Sequence, residues 1–460
     1  MEPTASRAIA EWVVGSGPAS LPLQAVELVK RAVLDTLAVS LLGARMEAPR
    51  VTAAVEFARS GAAQSSVFAM GRRADVFGAA LINGTSSHAQ LYDDNNAPMI
   101  AHPSGPLVSA LLPLAQARHR SGRAVIEAYA AGFEVGVTLG RLLNPGLYER
   151  GWHVTRTLGA LGATAACARL AELDASRTAH ALGIATSMTG GLRQNFGTMT
   201  MPLHVGLAAR DALHAVLLAE HGLQSDPAAL EGKYGFYRVF AEQQPGPAKL
   251  GQPLELLESG IIFKPYPSGA PTHAAVDAAL ALRARGLAPA DIARVTCYVH
   301  PWNAMTLRAE DPRDPLQAKV SMRFCVAAAL LHGRLTWREF SAEALADPAL
   351  QALMRRVHVQ VSPSLPDSKE FPAEVQIVTV AGNTLTHRSE VPPGGSTRPL
   401  NDAQVIDKFR DCAAGALSPA AIDRVIELVQ ALDSLDDVAM LCELLEGSGE
   451  ALSHLSQREF

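Results

Sequence analysis

Apolar residues recur at the three- and four-residue spacing of an amphipathic helix along the first part of the chain. Residues 22–43 form the first long stretch, with apolar positions Val26, Val29, Val33, Leu37 and Leu41. The stretches 124–143 and 158–173 add small residues at spacings that predict close helix packing, namely Gly132, Gly136, Gly140, Gly159 and Gly162. Helix after helix of this kind predicts an all-α bundle over roughly the first 260 residues, interrupted by a short stretch, 65–68, that could be extended.

The pattern changes near residue 261, where residues 261–263 have a strand-like composition. Alternating, β-branched residues then predict strands at 292–300, 357–361, 373–380 and 384–389, with helices at 272–285 and 318–332. From residue 402 to 455 the periodicity is helical again. The sequence therefore predicts a mainly α protein. Both chain ends, residues 1–262 and 396–460, build a large all-α helical bundle domain, and residues 263–395 form an inserted α+β domain.

Composition narrows the possible partners. The 460 residues are 48% apolar and carry a formal net charge of −5, so neither nucleic acid nor an anionic membrane surface is expected as a partner. No apolar run approaches the ~20 residues of a membrane span. The five cysteines form no CxxC motif, and the first residues do not resemble a signal peptide. These features predict free thiols and a cytoplasmic protein.

A polar segment between two apolar helical stretches is the first candidate site. Residues 83–105 contain carboxylate, amide, imidazole and hydroxyl groups: His88, Tyr92, Asp93, Asp94, Asn95, Asn96, His102 and Ser104. Asp93 and Asp94 are adjacent like charges, so one of them would have a raised pKa in a dry site. Such a loop on a rigid scaffold is typical of a functional site, and it is equally typical of an ordinary inter-helix loop with capping groups.

Several segments resemble, in order and over nearly the whole chain, the MmgE/PrpD family. They are AALINGTSSHAQLYDDNN with HPSG, GWHVTRTLGALGATAA, FGTMTMPLHVGLAARDA, KPYPSGAPTHAAVDAAL, AKVSMRFCVAAALLHG, and FPAEVQIVTVAGN followed by PPGGSTRPLNDAQVIDKF. The family includes 2-methylcitrate dehydratase, cis-aconitate decarboxylase and iminodisuccinate epimerase. The resemblance implies a helical domain with an inserted α+β lid, a site between them, no metal or organic cofactor, and a homodimer.

The resemblance also implies site residues. His102 and His153 match the histidines of the second and third motifs, while Lys264 and His273 match the lysine and histidine of the lid motif. Four positions depart from the residues that the family usually carries: Leu91 for aspartate, Asn95 for threonine, Met201 for lysine and Phe324 for tyrosine.

The matching residues suit proton transfer at a carbon next to a carboxylate, which requires a base near neutral pH and a cation for the developing enolate. We assign His153 and His102 to proton transfer and Lys264 to charge stabilisation. The expected substrate-binding residues are Asp93, Asp94, Asn95, Arg193, His273 and Arg323. We interpret His88 and His204 as structural. No HxxxH or HxH pair is present, so we expect no metal site.

The implied function is a cofactor-independent lyase or epimerase for a small di- or tricarboxylate, of the 2-methylcitrate dehydratase, cis-aconitate decarboxylase or epimerase type. The alternative is a family member without catalysis that serves as a carboxylate-binding or scaffold protein, because four usual site positions are altered. The sequence leaves lyase, epimerase and inactive protein open, and it does not identify the substrate.

Overall fold

The computed structural model describes residues 4–448, apart from 16–19, 60, 247, 308–309, 367 and 369. The helices are α1 Ala5–Val14, α2 Leu23–Gly43, α3 Glu47–Arg59, α4 Val76–His88, α5 Ser104–Ala117, α6 Gly122–Leu143, α7 Gly146–Glu149, α8 Val154–Leu170, α9 Ala175–Met188, α10 Thr200–Glu220, α11 Phe236–Ala241, α12 Glu255–Glu258, α13 His273–Arg283, α14 Pro301–Thr306, α15 Pro315–Ala318, α16 Met322–His332, α17 Ala342–Ala346, α18 Pro348–Met354, α19 Asp402–Ala413, α20 Pro419–Gln430 and α21 Ala439–Leu444. The protein is thus mainly α, as the periodicity predicts.

The strands are few. They are β1 Ser65–Val67, β2 Arg72–Ala74, β3 Ile292–Val299, β4 Val357–Val361, β5 Ala373–Thr379 and β6 Thr384–Ser389. The chain divides into two compact units, one from residues 1–89, 93–261 and 401–460 and the other from residues 90–92 and 262–400. None of the described helices is both long enough and apolar enough to cross a bilayer.

The first unit is a helical bundle whose inner helices meet at glycines. A Cβ on Gly206 of α10 would lie 2.1 Å from the Leu81 carbonyl oxygen of α4, and one on Gly132 of α6 would lie 2.5 Å from the Gly162 carbonyl oxygen of α8. A larger residue would force these helices apart. The close packing predicted from the small residues of α6 and α8 is therefore confirmed.

Segments from both ends of the chain take part in this bundle. Helix α2 packs against α19, and the buried Lys408 Nζ lies 2.7 Å from Asp35 Oδ1. The short stretch 65–68, which the sequence left open as extended, does form a strand. Strands β1 and β2 form an antiparallel hairpin, because Ser65 to Val67 is fully buried and pairs with the segment that leads to α4.

The second unit contains a four-stranded sheet in the order β4-β3-β5-β6. Strand β3 is parallel to β4 and antiparallel to β5, which in turn is antiparallel to β6. Helices α13 and α16 contact each other and the sheet, and together they enclose an apolar core. The four predicted strands are confirmed. Residues 261–263, which have a strand-like composition, form no full strand; Ile262 lies in a single β-bridge, and the chain then enters the loop that carries Lys264.

Candidate active site

Four imidazoles converge where helix ends of the first unit meet. His88 ends α4, His102 shortly precedes α5, His153 caps the N-terminus of α8, and His204 lies in the first turns of α10. The ring centroids of His88 and His102 are 4.9 Å apart, those of His88 and His153 5.7 Å, and those of His153 and His204 5.2 Å. We call these four residues the histidine cluster. Four side chains able to carry protons are thereby gathered in one buried place.

A carboxylate orients two of the rings. His88 Nδ1 donates to Asp93 Oδ2 at 2.7 Å, and His102 Nδ1 lies 3.8 Å from the same oxygen. His102 Nδ1 also donates to the Asp94 carbonyl oxygen at 2.5 Å. Both acceptors are oxygens, so the ring proton of His88 and of His102 lies on Nδ1. Nε2 of each ring can then exchange a proton or accept a hydrogen bond. The Asp93 and His88 side chains are almost fully buried, so water does not compete for this hydrogen bond.

The other two rings share a hydrogen bond. His153 Nδ1 and His204 Nδ1 are 3.0 Å apart, and the edge of Phe196 covers His153. Burial, followed by the charges of His88, His204 and His102, lowers the pKa of His153 well below 6.5. Burial and then the Arg156 charge lower the pKa of His204 to about 4. Both rings are therefore neutral at pH 7, and His153 is available as an uncharged base.

The main chain fixes the position of His153. Its backbone N–H donates to the Gly191 carbonyl oxygen at 3.0 Å, and Trp152 pairs with Leu192 in an isolated bridge. Gly191 has φ of 91°, and a Cβ there would lie 2.7 Å from Arg156 Cγ. A glycine at this position lets the loop after α9 lie directly against the beginning of α8.

Asp94 belongs to a separate buried network. Ser104 Oγ donates to Asp94 Oδ2 in a short hydrogen bond and lies 2.6 Å from Tyr129 Oη, while the Ser104 backbone N–H donates to Asp94 Oδ1 at 3.3 Å. Burial, together with the nearby charge of Asp93, raises the pKa of Asp94 from 3.8 to about 8. This agrees with the expectation that one of the adjacent carboxylates is protonated in a dry site. Asp94 thus supports the loop as a neutral acid at pH 7.

This proton gives the unfolding free energy a pH dependence of defined sign. Between the ordinary pKa of 3.8 and about 8, the folded protein holds the proton and the unfolded chain does not. The stabilising contribution is complete below that range and is lost as the pH rises through it. Asp94→Asn mimics the neutral acid. As the pH rises from about 5 to 8, its free energy of unfolding in urea should therefore fall less than that of wild type. Equal losses in both proteins would contradict the assignment.

Three members of the site also form a possible metal-ligand group, although the sequence indicates no metal site. One ligand atom from each of His88, Asp93 and His102 lies within 4.8 Å of the others. Two imidazoles and a carboxylate are a donor set that divalent transition metals accept. In this structure, however, the His88 and His102 Nδ1 atoms already donate to oxygen, so only their Nε2 atoms could bind a metal.

Lys264 lies in the second unit. Its side chain is buried, and Nζ donates to the Leu91 carbonyl oxygen at 3.0 Å, while Tyr92 Oη donates to the Pro265 carbonyl oxygen at 3.2 Å. A second buried lysine, Lys319, donates to the Pro267 carbonyl oxygen at 3.2 Å. Burial lowers the pKa of Lys319 to about 7. The loop that begins at Lys264 is therefore held by main-chain contacts beside two buried amines.

The remaining predicted binding residues have different surroundings. His273 begins α13, and its Nε2 donates to the Ser268 carbonyl oxygen at 3.2 Å. Arg193 stacks on the Tyr148 ring, with 3.5 Å from Cζ to the centroid. Arg323 pairs with the exposed carboxylates of Glu310 and Asp311. Asn95 is half-buried in the loop of Asp93 and Asp94. The structure thus groups Asp93 with His102 and His153 in the first unit, and Lys264, His273 and Arg323 belong to the second.

Sequence reasoning missed three polar residues around the cluster. His88 and His204 were interpreted as structural, yet both contact His153 or His102. Arg156 received no role, although its guanidinium is buried and influences His204. The available signal was position: His88 ends the helix before Asp93, Arg156 follows His153 by three residues, and His204 stands in the motif after Phe196.

Comparison of the sequence with models of known protein families assigns the chain to a family. The sequence models of the MmgE/PrpD N-terminal domain and C-terminal domain match residues 7–248 and 266–434. The chain belongs to the MmgE/PrpD family.

Named relatives extend the comparison. The chain is 30% identical over 440 residues to a cis-aconitate decarboxylase of Homo sapiens, covering 92% of this chain and 90% of the relative. It is 26% identical over 474 residues to a cis-aconitate decarboxylase of Aspergillus terreus, covering 95% of both chains. A 2-methylcitrate dehydratase of Cupriavidus necator is 30% identical over 231 residues, which is 46% of this chain and 47% of the relative.

Proposed function

We propose that this protein is a cofactor-independent lyase that acts on a small di- or tricarboxylate and transfers a proton at a carbon next to a carboxylate. The observation that carries the proposal is the buried histidine cluster with Asp93 in a chain of the MmgE/PrpD family. The lyase type is that of the named relatives, which are a decarboxylase and a dehydratase. These relatives give no support to a scaffold protein without catalysis.

Decarboxylation is favoured over dehydration. The match to cis-aconitate decarboxylase covers 92% of this chain, whereas that to 2-methylcitrate dehydratase covers 46%. In cis-aconitate, one carboxylate is carried by a carbon next to the double bond. When that C–C bond breaks, CO2 leaves and the bonding pair forms a new double bond. The former double-bond pair moves to a carbon beside another carboxylate, and that carbon takes up one proton.

Each candidate site residue has one role in the proposed decarboxylation. His153 carries the proton to the reacting carbon: its ring, neutral at pH 7 in the free protein, first takes up the proton that His102 supplies and then passes it on. His102, whose side chain is 19% exposed, supplies protons from solvent, and Asp93 orients His88. Lys264 binds a carboxylate or stabilises the dienolate charge, as the family resemblance implies.

A product assay tests the proposal. Purified protein is incubated separately with cis-aconitate and 2-methylcitrate, and with a panel of other di- and tricarboxylates. Released CO2 and the products are followed by NMR. We expect CO2 and a dicarboxylate with one carboxylate fewer from cis-aconitate. Loss of water from 2-methylcitrate without CO2 release from cis-aconitate would make the protein a dehydratase. No change in any compound would contradict the lyase proposal.

Independence from metal is a further part of the proposal. Because the Nδ1 atoms of His88 and His102 donate hydrogen bonds, the cluster is complete as a set of proton carriers. We expect prolonged dialysis against EDTA to leave turnover unchanged. Loss of turnover that returns with Zn²⁺ or Mn²⁺, and not with Mg²⁺ alone, would instead assign the His88–Asp93–His102 group to a metal.

We also propose a cytoplasmic homodimer. The five cysteines are free and buried, which fits a reducing compartment. Apolar side chains on the outer faces of α2 and α3, those of Leu23, Val51 and Val55, are exposed and would be covered in a dimer. Sedimentation at micromolar concentration is expected to show twice the 48.6 kDa chain mass, and a species of 48.6 kDa alone would contradict the dimer.

A further inference from the structure

We propose that Arg156 is a substrate-binding residue that holds a carboxylate beside the histidine cluster. This inference rests on the proposed function, because it names a binding residue for the same carboxylate substrate.

The first observation is an incomplete hydrogen-bond set. The Arg156 side chain is 5% exposed, and its Nη2 donates to the Met188 carbonyl oxygen at 2.8 Å and to Asp211 Oδ2. Its Nη1 is buried and has no hydrogen-bond partner among the described residues. A buried charged donor without an acceptor costs folding free energy, so such a group is expected to have a partner in the functional complex.

The second observation is an excess of positive charge. Asp211 Oδ1 also accepts a hydrogen bond from Arg210 Nε at 2.9 Å and lies 2.8 Å from Arg210 Nη2. Among the ion pairs of the described residues, Asp211 is the one carboxylate that pairs with either guanidinium. Two guanidiniums and one carboxylate leave one uncompensated positive charge. Because the Arg156 side chain is 5% exposed and arginine stays protonated in proteins, an anion beside its guanidinium would be favoured.

The third observation is the position of this charge. The Arg156 backbone N–H donates to the His153 carbonyl oxygen at 2.8 Å, so the two residues share the first turn of α8. A Cβ on Gly191 would lie 2.7 Å from Arg156 Cγ and 3.5 Å from His204 Nδ1. The Arg156 charge also contributes to the low pKa of His204. The Arg156 side chain therefore begins beside the loop that borders His204, and its charge acts on the His204 ring.

These observations favour a carboxylate over other ligands. The unpaired Nη1 offers charge-assisted N–H donors to a carboxylate oxygen, and the neighbouring neutral imidazoles add no competing negative charge. A structural role alone, as a partner of Asp211 and of the end of α9, uses only Nη2 and leaves Nη1 unexplained.

The test compares Arg156→Met and Arg156→Lys with wild type. Tricarballylate, a tricarboxylate without a double bond, serves as a non-reacting probe in calorimetric titration, and cis-aconitate serves for turnover. We expect Arg156→Met to weaken tricarballylate binding and raise KM about 10- to 100-fold, the usual range for losing charged hydrogen bonds. The effect on kcat should be smaller. Arg156→Lys should give an intermediate loss, because lysine keeps the positive charge but cannot place a donor where Nη1 lies while also binding Asp211 and the Met188 carbonyl.

Arg169→Met is the matched control. Arg169 lies on the same helix and is also largely buried, but it binds main-chain carbonyls and Glu127 away from the imidazoles. The Arg169→Met substitution should leave tricarballylate binding unchanged. If Arg156→Met does not fold, Arg156→Lys decides: weaker binding at an unchanged melting temperature supports the proposal, and unchanged binding overturns it.

Two failures are distinguishable. If wild type binds tricarballylate and Arg156→Met binds it equally well with a lower melting temperature, Arg156 is structural and this inference alone is wrong. If wild type neither binds tricarballylate nor converts any carboxylate of the panel, the proposed function fails, and the inference fails with it.

Discussion

His153→Ala should lower turnover of the carboxylate substrate by about 10²- to 10⁴-fold, the usual contribution of a positioned acid–base group. The imidazole is buried, bonded to His204 and neutral at pH 7 because its pKa is well below 6.5. A neutral ring contributes little to the affinity for an anion. We therefore expect tricarballylate to bind the variant nearly as well as wild type, so that the loss falls on kcat.

The control for this variant is His119→Ala. His119 has a side chain that is 77% exposed and pairs with Asp437 at the surface, so the substitution removes an imidazole outside the cluster. It should leave both kcat and KM unchanged. A His153→Ala protein that retains wild-type kcat would remove His153 from the reaction, and one that loses only binding would make it a binding residue.

Lys264→Met should lower kcat/KM by about 10²- to 10³-fold, as expected when one preorganised donor to a developing charge is lost. Methionine fills the volume of the buried lysine stem, so the loss reflects charge more than a cavity. In contrast to His153→Ala, this variant should lose tricarballylate affinity and kcat together, because an ammonium attracts the carboxylate in the ground state and in the transition state.

Lys249→Ala is a suitable comparison, because Lys249 is exposed and its charge lies on the protein surface. We expect wild-type kinetics from this protein. If Lys264→Met lost melting temperature and kept both kcat and KM, then Lys264 would only hold the loop through the Leu91 carbonyl oxygen. If the His153 and Lys264 variants showed each other's expected behaviour, their roles would be exchanged.

The fold class could be predicted from the spacing of apolar residues, because each buried helix face requires apolar side chains at helical spacing. The apolar stripe of α2 and the glycines of α6 and α8 directly reflect the surfaces that these helices bury. Alternation likewise identified β3 to β6. The hairpin of β1 and β2 was not predicted as a pair, because three-residue strands are too short to establish a period. Pairing across residues 65–74 depends on the tertiary surroundings.

The site could be predicted only as far as its residues stand in recognisable segments. His102, His153 and Lys264 were assigned as candidates through the family motifs. His88, His204 and Arg156 were not, because their roles arise from the contacts of α4, α8 and α10. Nothing in the sequence shows that Asp93 orients His88 or that Asp211 is shared by two arginines. Such pairings are set by the packing of distant helices.

Decarboxylation in deuterated water tests the proposed proton transfer by His153 most directly. Wild type and His153→Ala are incubated with cis-aconitate, and the position of deuterium in the product is read by NMR. We expect wild type to release CO2 and to place one deuteron on the carbon next to a remaining carboxylate, while His153→Ala shows neither change on the same timescale. Equal deuterium uptake by wild type and His153→Ala, or none in wild type with any carboxylate of the panel, would contradict the proposed proton transfer.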